Sequence, residues 1–370
     1  MASTAEIRQL TGLRGIAALT VALVHLHADR FALVRFFEFH DQAVDLFFCL
    51  SGFTLCMVYR AGAGQALDVR RYAAARFARV YPLYAAILLF CWWLTVRHLA
   101  WSSLYPGGLF VADTLRNLLL VNSWPLIGDG SNWDSPAWSL SVEAFCYIAL
   151  FPVLFALSPA AARLPASARL SLIVLLAAVS FIAFGRYWDV QILIPRIYTA
   201  ANPIAYWVAL LRGITLFSAG WLIHGFWRDR DIIAQAAGAA TDALALSAIL
   251  ILGCADLGLL PKSALVLLAP PLVLGLAANA GSITARLLAS APLHLLGELS
   301  YAIYLLHEPL QSFITGTFPN LATRPTLDLA VTLPVLFLVS AASYYGFEKP
   351  ARALIKRGAG PSRAARAARV

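Results

Sequence analysis

The chain has 370 residues, 61% of them hydrophobic and only 13% charged, with a mean hydropathy of +0.75. A soluble domain carries charge at about a quarter of its positions, so this balance excludes a water-soluble globular enzyme and predicts an all-α, polytopic helical bundle in a membrane. The net charge of +9 is not a nucleic-acid footprint, because its clusters lie between apolar runs and after the last one, where anionic headgroups or a phosphorylated cofactor are the natural partners.

Apolar stretches long enough to cross about 30 Å of hydrocarbon recur along the whole chain. They run from Gly12 to Phe31, Ala43 to Tyr59, Val80 to Val96, Pro136 to Leu157, Leu170 to Gly185, Pro203 to His224, Ala243 to Cys254, Ser263 to Asn279, Leu293 to Phe313 and Leu327 to Phe347. About ten spans are therefore expected, and an even number puts both termini on one side. The positive-inside rule makes that side the cytoplasm, since Arg60, Arg70, Arg71, Arg76, Arg79, Arg163 and Arg169 then lie inside. Residues 1–357 read as one transmembrane domain and residues 358–370 as a basic, disordered cytoplasmic tail.

The longest outer segment, Arg97 to Ser135, holds Trp101, Tyr105, Trp124 and Trp133 with Asp113, Asp129 and Asp134. Rings and carboxylates together suit a sugar, although an interfacial aromatic belt uses the same residues. Within it the apolar stretch Leu109 to Val121, broken by Asp113 and Arg116, is expected to be interfacial or re-entrant. Cys49, Cys56, Cys91, Cys146 and Cys254 sit in apolar runs, where cysteine behaves as a small hydrophobe. An acyl-thiol at Cys49 or Cys146 is the alternative.

Arg14 and His25 lie eleven residues apart in the first run. Eleven helical steps of about 100° return to within roughly 20° of the start and rise roughly 16 Å, so both groups share one face. An ionisable group mid-span costs about 2.5 to 3.5 kcal/mol on insertion scales and marks a functional cavity. With an inside amino terminus, His25, Asp45, Glu143 and His307 fall at matching depth in the outer half. Two imidazoles with two carboxylates are what hydroxyl activation needs, a neutral histidine as base and a carboxylate to steady it.

The inner half differs. Arg14, Arg76 and Arg79, with Arg70 and Arg71 nearby, supply the forked cations that recognise phosphates. A phosphate-holding inner face joined to a base-bearing outer face fits acyl transfer from a cytoplasmic thioester. The pantetheine arm would enter the bundle and bring the thioester near Ser51. Ser51 lacks the flanking glycines of a nucleophile elbow, and His40, His98, His224 and His294 have no ligand-like spacing, so no metal is expected.

Several segments resemble the acyltransferase 3 family of membrane-bound acyltransferases, in that family's order. They are GLRGIAALTVALVHLH, VDLFFCLSGF, RFARVYPLY, WSLSVEAFCY, LGELSYAIYLLHEPL and FEKPAR. The resemblance implies about ten spans, acyl-coenzyme A, most often acetyl-coenzyme A, as donor substrate with no bound cofactor, and a hydroxyl of an envelope or exported glycan as acceptor. It further implies a multi-pass protein of a bacterial inner membrane, in the stand-alone form without a fused esterase-like domain. On this expectation His25 is the base, Glu143 or Asp45 steadies it, and Arg14, Ser51, Arg76 and Arg79 hold the donor. Trp138, Ser141, Tyr301, Tyr304 and His307 are the acceptor-side candidates. A transporter or flippase of a small anion or lipid-linked sugar, with the Arg14 to His25 stripe as its path, is the competing expectation.

Overall fold

A computed structural model describes residues 6–26, 39–59, 66–97, 110–128, 133–193 and 203–358, and every element among them is helical. The main helices are α1 (Arg8–His25), α2 (His40–Tyr59), α3 (Val69–Val96), α4 (Phe110–Leu118), α5 (Ala137–Arg163) and α6 (Ala166–Leu193). They continue with α7 (Pro203–Asp229), α8 (Ile232–Ala239), α9 (Thr241–Asp256), α10 (Leu265–Ala278), α11 (Ile283–Leu288), α12 (Ala291–Thr317), α13 (Pro325–Ser343) and α14 (Lys349–Gly358). The end of the first expected span at Phe31, the outer residues Trp101, Tyr105 and Asp129, and the tail beyond Gly358 lie outside the described residues.

Each expected span coincides with a helix, usually a longer one. The third grows at its amino end, where Asp68 caps the first turn by accepting from the Arg71 N–H at 3.2 Å. The turns it adds, Val69 to Arg79, are helical and basic, which a search for apolar runs passes over. Among the described residues six helices are long and apolar enough to cross a membrane, or seven if α8 and α9, bent by 60°, form one span. Helices α1 and α12 are not among them. These two carry Arg14, His25, Glu298, His307 and Glu308, and the same polar groups that mark a site lower the hydropathy that would mark a span.

Small residues set the closest crossings. Gly12 faces the Leu288 carbonyl at the end of α11, while Gly15 faces Gly297 and Gly297 faces the Thr11 carbonyl, which draws α1 against α11 and α12. Gly52 meets the Phe217 carbonyl and Gly220 the Cys49 carbonyl, which seats α2 on α7. A methyl group at any of these would overlap backbone, the close approach on which helix packing in lipid relies.

The outer segment turns back into the bundle. Helix α4 ends beside the middle of α3, where the Tyr81 and Tyr84 hydroxyls donate to the carbonyls of Leu118 (3.0 Å) and Asn117 (2.8 Å). The chain then reverses through residues 119–128, with Leu120 and Leu126 at φ 55° and 70°. Irregular backbone within a membrane bundle must have its polar groups met by protein. Here the Ser141 hydroxyl donates to the Leu120 carbonyl (2.8 Å) and accepts from the Ser123 N–H (3.1 Å). The Trp124 indole donates to the Ser141 carbonyl (2.8 Å), and Arg116 donates to the Ile127 carbonyl (3.1 Å). The segment is folded back against α3 and α5.

Candidate active site

A cavity of about 350 Å³ opens between α1, α2, α3, α5 and α12. Glu143 stands in its wall, accepting from the Ser51 hydroxyl (2.6 Å) and from the Tyr147 phenol (2.5 Å). Tyr147 lies in a π-helical turn, Cys146–Leu150, that interrupts α5 one turn after Glu143, and such turns recur at functional sites because they re-aim a helix face. A second π-helical turn, Tyr344–Glu348, leads into α14.

Cations crowd the same cavity. Arg14 donates to the Ser300 hydroxyl and to the Gly297 carbonyl, each at 3.0 Å, which pins it to α12. The Arg76 guanidinium lies over the rings of Tyr59 and Tyr147 at 5.8 and 5.6 Å, and its Nε is buried with no hydrogen-bond partner among the described residues. Arg79 lies 5.5 Å over the ring of Tyr301, whose hydroxyl is tied to the Val80 carbonyl at 2.6 Å. Two further cations come from α14: Arg352, paired with Glu348, and Lys356, both within the electrostatic field of Arg79. Arg352 closes the FEKPAR segment and Lys356 lies one turn beyond it, and neither is among the residues expected to hold the donor. Their signal was the spacing of Lys349, Arg352 and Lys356 along one helical face.

Glu6 sits at the mouth, bonded to Thr11 (2.7 Å) and His294 (3.1 Å). Burial raises its carboxyl, but those hydrogen bonds and the charges of His294 and Arg14 outweigh burial and hold it below the usual range. Three guanidiniums against two carboxylates leave the lining net positive.

Beyond the cavity, Tyr304 and His307 lead to His25. Tyr304 lines the cavity and exchanges a hydrogen bond with Ser139 at 2.7 Å. Its ring centroid lies 6.2 Å from that of His307, which in turn lies 5.0 Å from that of His25. The His25 Nδ1 is 2.8 Å from the Val21 carbonyl. A carbonyl can only accept, so Nδ1 carries the proton, and in the neutral ring Nε2 keeps its lone pair. That Nε2 faces Glu308 at 3.3 Å.

The eleven-residue stripe on α1 is therefore matched on α12. Arg14 meets Gly297 and Ser300, and His25 meets His307 and Glu308. The expected pairing of His25 with Glu143 or Asp45 is corrected. Glu143 belongs to the inner cavity, and Asp45 is fully buried in a two-pronged ion pair with Arg212, both N···O distances 3.0 Å. Depth along a span could be counted from the sequence, but the side of the helix that each carboxylate faces could not. Arg212 in turn lies 5.6 Å over the Trp138 ring, so Asp45 and Trp138 knit α2, α5 and α7 together.

The acceptor-side candidates also separate. Tyr301 and Tyr304 line the cavity, Ser141 holds the turn at residues 119–128, and His307 is completely buried. Its Nε2 has no hydrogen-bond partner among the described residues. His25, His307 and Glu308 each offer one ligand atom within 4.8 Å of the others, a donor set within reach of a common cation. Asp134, unread in the sequence beyond its loop, is wholly buried with both oxygens unpartnered among the described residues, in the field of Glu308. Cys49 and Cys146 are buried and line neither this cavity nor the His25 cluster.

Comparison with known proteins agrees with this arrangement. A family model described as an acyltransferase domain matches residues 7–345. Over 163 residues the chain is 35% identical to "Acyltransferase MdmB" of Streptomyces mycarofaciens, covering 41% of this chain and 40% of that protein. It is 36% identical over 146 residues to "Protein 2 in picA locus" of Rhizobium radiobacter, covering 36% of this chain and 75% of that protein. To "O-acetyltransferase OatA" of Staphylococcus aureus it is 23% identical over 93% of its own length and 57% of the relative's. No solved structure matches. With the family model spanning nearly all of its helices, the chain belongs to the acyltransferase 3 family.

Proposed function

We propose that this protein moves an acyl group from acyl-coenzyme A, bound at a cytoplasmic mouth, to a hydroxyl of an exported or envelope glycan. The reading includes ten spans with both termini inside, in a bacterial inner membrane. The observation that carries it is the line from the cation-rich cavity through Tyr304 and His307 to the Nε2 of His25. Arg14, Arg76, Arg79, Arg352 and Lys356 supply charge for the phosphates of the nucleotide, and the names of the relatives, acyltransferase and O-acetyltransferase, support the reaction class.

The chemistry follows from the geometry. The acceptor hydroxyl gives its proton to His25 Nε2 as its oxygen bonds to the thioester carbon, and Glu308 stabilises the imidazolium that forms. The carbon–sulfur bond breaks, and the proton passes from His25 to the departing thiolate, leaving free coenzyme A and an ester. No covalent enzyme intermediate is required.

The test is release of free coenzyme A by purified protein in lipid nanodiscs, given acetyl-coenzyme A with and without a polysaccharide acceptor. Acceptor-dependent release that His25→Ala abolishes is expected. Acyl-coenzyme A turnover indifferent to His25, or solute uptake into vesicles without release, would overturn the reading.

A further inference from the structure

A second cavity, about 560 Å³, lies between α3 and α5. Its inner end is at Val69 and Pro152, its far end at Leu118 to Leu120 of the folded-back segment, and its lining is almost wholly apolar. The few polar groups in it are already engaged. The Tyr72 hydroxyl donates to the Tyr147 carbonyl at 2.7 Å, Tyr81 to Leu118, and Glu143 accepts from Ser51 and Tyr147. An occupant gains nothing here by hydrogen bonding and gains only by being apolar.

The back wall of this crevice is the wall of the cationic cavity. Arg76, Val80, Leu140, Glu143 and Tyr147 line both. A donor whose phosphates meet the arginines and whose thioester reaches Ser51 and Glu143 thus has an apolar recess beside its carbonyl carbon. An acetyl group does not need it. At about 30 Å³ for a water-sized group, the recess holds far more than two carbons.

We infer that the crevice between α3 and α5 is a binding pocket for the hydrocarbon chain of the donor, and that the protein takes acyl groups longer than acetyl. This rests on the acyl-coenzyme A reading above and deepens it. The occupant is the donor's chain rather than a lipid tail, because Glu143 and Tyr147 line both the recess and the active cavity, so that one wall faces the arginines on one side and the apolar recess on the other. Ala144 faces the crevice without lining the cationic cavity, and so does Ala73 nearer the inner end.

Equilibrium binding to the purified protein in nanodiscs tests this without depending on turnover. The probes are free coenzyme A and its acetyl, butyryl, hexanoyl and octanoyl thioesters. Affinity is expected to rise about fourfold per methylene, from about 0.8 kcal/mol for each one buried, until the crevice is filled. Ala144→Phe and Ala73→Phe should leave the affinity for free coenzyme A unchanged, which certifies a folded donor cavity, while lowering that for octanoyl-coenzyme A at least tenfold. If free coenzyme A and acetyl-coenzyme A bind but longer chains bind no tighter, or if neither Phe variant alters the chain-length profile, the pocket assignment alone falls. If no thioester and no free coenzyme A bind, the donor reading fails and the pocket assignment falls with it.

Discussion

His25 owes the orientation of its reactive nitrogen to one backbone carbonyl. The Val21 carbonyl accepts from the Nδ1–H, which leaves Nε2 turned toward Glu308 and away from the helix. Replacing His25 with Ala should lower transfer by roughly 10² to 10⁴-fold, the usual worth of a general base, in protein that still inserts and folds. Glu308→Gln keeps shape and loses charge, so it should lower kcat by a smaller factor with the donor KM unchanged. A matching rise in KM would move Glu308 out of the reaction and into donor binding. Asp45 belongs to another kind of residue. Breaking its buried pair with Arg212 leaves an uncompensated charge, which costs about 3–5 kcal/mol. Asp45→Asn should therefore appear as a lower melting temperature and poor yield, with normal activity per folded molecule.

At the scale of helices, the glycines in the motifs answer to packing. Gly15, Gly297, Gly52 and Gly220 each lie where a neighbouring backbone leaves no room for a side chain. The facing pair on α1 and α12 also sets the register that brings His25 to His307. Gly297→Leu meets the Thr11 carbonyl, a rigid group, so the overpacking cost of about 1–3 kcal/mol lies at its upper end. Thermal unfolding in detergent should fall by several degrees, and activity should fall further than stability because Arg14 hydrogen-bonds the carbonyl of Gly297 itself. The folded-back turn is a second device at this scale. Ser141→Ala removes both the donor to Leu120 and the acceptor for Ser123, and greater protease sensitivity within residues 119–128 is the expected readout.

Across the whole molecule, charge and depth divide the work. The arginines of α1 and α3 line the cavity, and the imidazoles gather beyond Tyr304, outside it. Arg79→Ala and Arg352→Ala should each raise the donor KM by about tenfold or less without altering the acceptor KM, and the loss should shrink at high salt as the remaining phosphate contacts are screened. A change in acceptor KM alone would place these arginines elsewhere. The motifs lie in widely separated parts of the chain, and although α1 carries both Arg14 and His25, the groups that meet them come from other helices. The bundle as a unit is what joins the arginines to the imidazoles.

The sequence by itself determined the membrane class, the helical positions, the family and the pairing of Arg14 with His25 on one face. The family follows from the resemblance of six segments, and the rest from composition, apolar run length and the period of an α-helix, all of which are local. It could not say which carboxylate faces His25. Rotation of one helix against another is set by where backbones touch, here at glycines distant in the chain, and a few tens of degrees decide whether Asp45 meets an imidazole or Arg212. Only the tertiary structure put Glu308 in the place expected of Glu143 or Asp45, moved Tyr301 and Tyr304 to the inner cavity, folded the outer segment back between helices, and brought α14 to the donor mouth.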